Sequence, residues 1–151
     1  MQFKDVIGQV ETKNHLVDMF QGNRMAHALL FLGREGCGGL SLAIAFSQYV
    51  VCEKVNSKNL KKQEVSLFAN ESGESELLSE LPKDSCGECS ACVKARQLAH
   101  PDIHFSYPTV VRNPNDNKPI ATDYILEWRD FIKQHPYGNA QDWIEFLKEH
   151  R

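Results

Sequence analysis

At 151 residues, 42% apolar and 25% charged, the chain is long enough for one domain with a core of its own and has the balance of an ordinary globular protein. A net charge of −3 lacks the basic signature of a segment that binds nucleic acid unaided. No apolar stretch is long enough to cross a membrane or to serve as a signal peptide, which makes the cytoplasm the default compartment. There, five cysteines point to thiols or metal ligands more than to disulfides.

The chain opens with Phe3 and Val6-Ile7-Gly8-Gln9, then a helical pattern in which Val10, Leu16, Val17 and Phe20 share a side. Gly22-Asn23 closes that helix. Ala28-Leu29-Leu30-Phe31-Leu32 is a continuous apolar run followed by glycine, as expected of a strand covered on both faces. Gly33-Arg34-Glu35-Gly36-Cys37-Gly38-Gly39-Leu40-Ser41 follows, in the frame of a phosphate-binding loop, G-x-x-x-x-G-K-[ST]. In a working loop the backbone N–H groups cradle phosphates, Lys grips the terminal ones and the hydroxyl holds Mg²⁺. Gly33 and Gly38 keep the frame, but Gly39 stands at the Lys position and Leu40 at the hydroxyl position. Ser41 lies about 100° further round a helix and does not replace the hydroxyl. An ordinary strand-turn-helix corner also carries glycines, but residues 40–51 are apolar nearly all round, as in a buried helix. Strand, glycine turn and buried helix make the opening half of a βαβ unit and favour the degenerate phosphate loop.

Residues 53–85 change character, being rich in Lys, Glu, Ser and Asn, and read as a solvated, partly disordered insertion with a short helix near 74–81. Cys86-Gly87-Glu88-Cys89-Ser90-Ala91-Cys92 then places three thiols at C-x-x-C-x-x-C spacing, which a tight knuckle eased by Gly87 brings onto one ion. A tetrahedral zinc site needs a fourth ligand. Cys52, at the end of the buried helix, is the first candidate and His100 the second, while Cys37 belongs to the glycine loop. The run lacks the further Cys and Pro of a bacterial-type iron–sulfur motif. A redox pair or free thiols are the other readings.

Further on, residues 91–99 fit a helix stopped by His100-Pro101-Asp102. Ile103, Phe105 and Tyr107 alternate with polar residues like a strand with one buried face. Residues 113–119 have the composition of a turn. Thr122 is placed to cap a helix with Tyr124, Ile125, Trp128, Phe131 and Ile132 on one side; after His135-Pro136, Asn139 is placed to cap another with Trp143, Phe146 and Leu147 inward.

Taken in order, the Val6-Ile7-Gly8-Gln9 segment, 24–33, the glycine loop, Cys52, the cysteine run and His100-Pro101-Asp102 resemble bacterial DNA polymerase III clamp-loader subunits. Residues 1–107 are similar to the N-terminal AAA+ region of the delta-prime and gamma/tau subunits. The resemblance implies an α/β fold of the P-loop NTPase type, a parallel sheet with flanking helices, forming an incomplete domain over 1–151 with a zinc module inserted at 52–92. The missing Lys and hydroxyl favour delta-prime, a subunit with no ATPase activity, over gamma/tau. The resemblance further implies degenerate nucleotide contacts at Gly33, Gly36, Gly38, Gly39 and Leu40, no bound ATP, and structural zinc on Cys52, Cys86, Cys89 and Cys92. Its partners would be gamma/tau and delta subunits, with the sliding clamp and primed DNA reached through the complex and no membrane involved. A P-loop ATPase with a variant loop and a zinc-module interaction domain unrelated to replication are the alternatives.

Overall fold

The buried helix expected at residues 40–51 is present, spanning Gly39–Val51, and both apolar clusters of the molecule include its side chains. A computed structural model describes residues 1–68, 82–111 and 119–149. Its α-helices are α1 (Val10–Gln21), α2 (Gly39–Val51), α3 (Glu53–Phe68), α4 (Ser90–Arg96), α5 (Ile125–Gln134) and α6 (Ala140–Glu149), with 3₁₀ turns at Phe3–Asp5 and Ala121–Tyr124. The helix expected near 74–81, and the turn expected at 113–119 as far as residue 118, lie outside the described residues.

The expected parallel sheet is absent: no strand occurs among the described residues, so the α/β P-loop NTPase-like architecture is corrected to an all-helical one. The reason lies in pairing. A strand exists only beside another strand that takes up its backbone hydrogen bonds, and an apolar run alone does not supply one. Residues 28–32 are without helix or strand; Leu30 and Leu32 are 86% and 89% exposed while Phe31 packs against α2. The other predicted strand, around Ile103, Phe105 and Tyr107, is also without ladder partners. Between the two runs lies a cavity of about 380 Å³, floored by Phe46 and Val50 of α2, with Leu29 and Phe31 on one bank and Ile103 and His104 on the other.

Two apolar clusters flank α2. In the first, Phe3, Leu16 and Val17 gather with Phe46 and Tyr49 of the C-terminal half of α2, the Phe3 and Tyr49 rings 5.6 Å apart. Side chains buried to this degree each contribute about 1.5–3 kcal/mol. The second gathers the aromatic faces of α5 and α6: Trp128, Phe131, Trp143 and Phe146 are buried as their spacing predicts, and Tyr107 stacks on Trp128 at 4.3 Å. Asn139 caps α6 as expected, its Oδ1 accepting from the N–H groups of Gln141 and Asp142 at 2.7 and 2.9 Å. Thr122 does not cap α5; it lies inside the 3₁₀ turn, where the Asp123 carboxylate accepts from the Ile120 N–H at 3.3 Å.

The stretch expected to be solvated and partly disordered from residue 53 begins as the regular helix α3, in which Val55 and Asn59 are buried. Its far end is equally tied down. Tyr49 donates to the Pro82 carbonyl at 2.8 Å, Asp84 accepts from the N–H groups of Phe3 and Lys4, both at 3.0 Å, and buried Gln48 donates to Ser85 Oγ at 3.0 Å. Composition hid these anchors because polar side chains make them.

Candidate functional site

Cys52 ends α2 by leaving the helical region, at φ −64° and ψ 120°, which turns the chain and frees its sulfur from the helix surface. The stitches at Pro82, Asp84 and Ser85 deliver Cys86 to the same place, and its N–H donates to Cys52 Sγ at 3.4 Å. Gly87 takes φ +73°, where a side chain is strained, and so allows the knuckle to fold back. Cys89 then caps α4, its sulfur accepting from the Cys92 N–H at 3.5 Å, and Cys92 lies in the first turn.

The result is a cluster of Cys52, Cys86, Cys89 and Cys92 whose sulfurs all lie within 4.8 Å of one another. Zinc bound to four thiolates at about 2.3 Å requires sulfur–sulfur edges of about 3.8 Å. The Cys86 and Cys92 sulfurs are 3.8 Å apart, so the donor set fits the ion. Cys52 and Cys92 are fully buried and none of the four is in a disulfide. His100 is not in the cluster; its Nδ1 accepts from the Asp102 N–H at 3.2 Å. Cys37 is exposed in the glycine loop, also apart from it.

The electrostatics of the four sulfurs differ. Burial pushes the Cys52 and Cys92 thiols up, so both hold their protons at neutral pH without a cation. Burial acts in the same direction on Cys86, but the N–H groups of Cys89 and Glu88 directed at its sulfur outweigh it and bring its pKa down to about 7. A dication is the partner that lets such a group of thiols ionise together.

The glycine loop is arranged otherwise. Gly38 caps α2 at φ +82°, and the loop turns through Gly36 at φ +73°, backbone conformations that glycine adopts without strain. Gly33 packs against Cys37, and Gly39 opens the helix beside Phe31. Leu40 is turned into the second apolar cluster. Ser41 is buried and donates to the Pro136 carbonyl, so its hydroxyl is committed to the fold. Over Gly38 lies the ring of Tyr137, so close that a methyl group on the glycine would come within 2.7 Å of it. The Tyr137 hydroxyl accepts from the Ile7 N–H at 2.8 Å, and Gln9 Nε2 donates to the Cys37 carbonyl. Thus the segment 6–9 is pinned to the loop and to Tyr137. In sequence, His135-Pro136 marks only a break between helices and Tyr137 carries no signal; no local pattern tells a turn that covers another loop from one that faces water.

Residues 8–71 match the family model described as DNA polymerase III, delta subunit, which supports at family level the resemblance carried by the motifs. The matched stretch contains α1, the glycine loop, α2 and Cys52, and stops before Cys86. No curated protein and no solved structure matches the chain.

Proposed function

We propose, from the delta-subunit match over residues 8–71, that the chain acts as a delta-prime-type subunit of the bacterial DNA polymerase III clamp loader, without ATPase activity of its own. The observation that carries this reading is that the matched stretch includes a glycine loop in which Gly39 and Leu40 replace the phosphate-gripping Lys and the Mg²⁺-binding hydroxyl. Phosphoryl transfer depends on positioning and on stabilising charge, and those two groups supply most of the charge handling. With Leu40 facing the core and Tyr137 over Gly38, the loop offers little to a triphosphate. Such a subunit has no γ-phosphate switch and serves as a nucleotide-independent member of the ring. Its partners are gamma/tau and delta subunits, and through them the sliding clamp and primed DNA, in the cytoplasm.

Zinc on Cys52, Cys86, Cys89 and Cys92 has a structural role in this reading, because four thiolates leave no position for water or substrate. It ties the end of α2 to α4, so chelation loosens that corner while the aromatic cluster of α5 and α6 persists.

Reconstitution tests the assignment. The full-length protein is mixed with gamma/tau and delta subunits, and clamp loading and DNA-stimulated ATP hydrolysis are measured with and without it. Failure to join the complex, or equal loading in its absence, would sink the replication role. It would leave a zinc-module interaction domain, a reading favoured by the position of Cys86, Cys89 and Cys92 outside the matched stretch.

A further inference from the structure

Resting on the zinc reading just proposed, we infer that Glu53 is a positioning residue of the cysteine cluster, holding the start of α4 so that Cys89 and Cys92 face Cys52. Glu53 follows Cys52 directly and opens α3. Its Oε1 accepts from Ser90 Oγ at 2.9 Å and from the Ala91 N–H at 3.1 Å. One carboxylate oxygen therefore joins the residue after one sulfur ligand to the two residues between the other two. The neighbouring Lys54 reaches Glu88 at 3.1 Å, so positions 53 and 54 hold the knuckle on both sides of Cys89. Lys54–Glu88 is a single ion pair between exposed side chains; Glu53, also exposed, makes two hydrogen bonds, one of them to the backbone N–H of Ala91, and is the more specific tie.

The tie matters because α4 spans only Ser90–Arg96, too short to be stable alone. Its first N–H groups need acceptors: Cys89 Sγ takes that of Cys92, and Glu53 takes that of Ala91. A carboxylate also suits the positive end of a helix. Yet four thiolates around Zn²⁺ already carry net negative charge, and a further anion beside them opposes binding. The benefit of Glu53 must then lie in its hydrogen bonds, and Gln, which keeps an acceptor oxygen without the charge, should replace it. Groups of this kind typically change metal affinity 10–100-fold.

The experiment compares wild type, E53Q, E53A and S90A. Zn²⁺ affinity is measured by competition with a chromophoric chelator, the thiolate-to-metal bands are recorded with Co²⁺, and amide hydrogen exchange at Ala91 is followed in the metal-free proteins. Expected are a loss of about tenfold or more in Zn²⁺ affinity for E53A, a smaller loss for S90A, near-wild-type affinity for E53Q, and faster exchange at Ala91 in E53A alone. E53A binding zinc like wild type, or E53Q as weak as E53A, overturns the inference. If E53A does not fold, S90A and E53Q decide the matter by the same affinities. Absence of Zn²⁺ and Co²⁺ binding by wild type would remove the zinc reading itself, and exchange at Ala91 would still report separately whether Glu53 holds α4.

Discussion

The cysteine cluster and the glycine loop are both sequence signals at the two ends of α2, and the structure treats them oppositely. At the C-terminal end, Cys52 and the knuckle converge into a set of sulfurs with the spacing that zinc requires. At the N-terminal end Gly36 and Gly38 supply the positive φ of the turn, but the loop is covered by Tyr137 and the Leu40 side chain is drawn into the core. The difference is one of what each motif needs. Ligands at short spacing carry most of their geometry within the motif, whereas a phosphate cradle depends on two particular side chains and an open mouth.

The largest expected effect is on the cluster's response to acid. Zinc must displace the protons that burial holds on Cys52 and Cys92, so lowering the pH weakens binding. Displacing at least these two protons corresponds to roughly a hundredfold or more in affinity per pH unit. Below about 7, where Cys86 also takes up a proton, the decline steepens. A zinc titration repeated from pH 8 to 6 checks this, and a flat profile contradicts it. Cys52→Ser comes next. Sharing the 10–16 kcal/mol of a structural zinc among four ligands suggests a loss of roughly 3 kcal/mol, two orders of magnitude in affinity. Elemental analysis after dialysis shows it as lost metal.

At the other end of α2, Gly38→Ala forces a side chain into φ +82° and against the Tyr137 ring. It should destabilise the fold by about 1–3 kcal/mol, read as a lower unfolding midpoint with zinc content unchanged. The smallest effect is expected where the motif's letters are restored. Gly39→Lys with Leu40→Thr should produce no measurable ATP hydrolysis, since Tyr137 still covers Gly38; position 39 has ordinary space for a side chain. Turnover by that double variant would show that the loop lacks only its two missing groups.

Helix positions in the second half of the chain were legible because Trp128, Phe131, Trp143 and Phe146 recur at helical spacing and Asn139 is a cap by type. The clustering of the four cysteines was legible because three share a knuckle and Cys52 closes the preceding helix. Residues 28–32 misled because an apolar run looks the same whether or not another strand lies beside it. Tyr137, Asp84 and Glu53 were not legible at all. Each acts on a backbone or side chain far away in sequence, and polar residues in a polar stretch give no sign of a distant partner.

The exposed run at 28–32 also bears on how the protein behaves in concentrated solution. It is uncharged, without proline, and its Leu30 and Leu32 face solvent almost entirely. Short segments of that kind seed intermolecular β-pairing, and a net charge of −3 gives the chain little repulsion to hold copies apart. Light scattering should therefore rise with concentration more steeply for this chain than for a variant with Leu30→Lys. An absence of such a difference would mean that the run is colloidally inert.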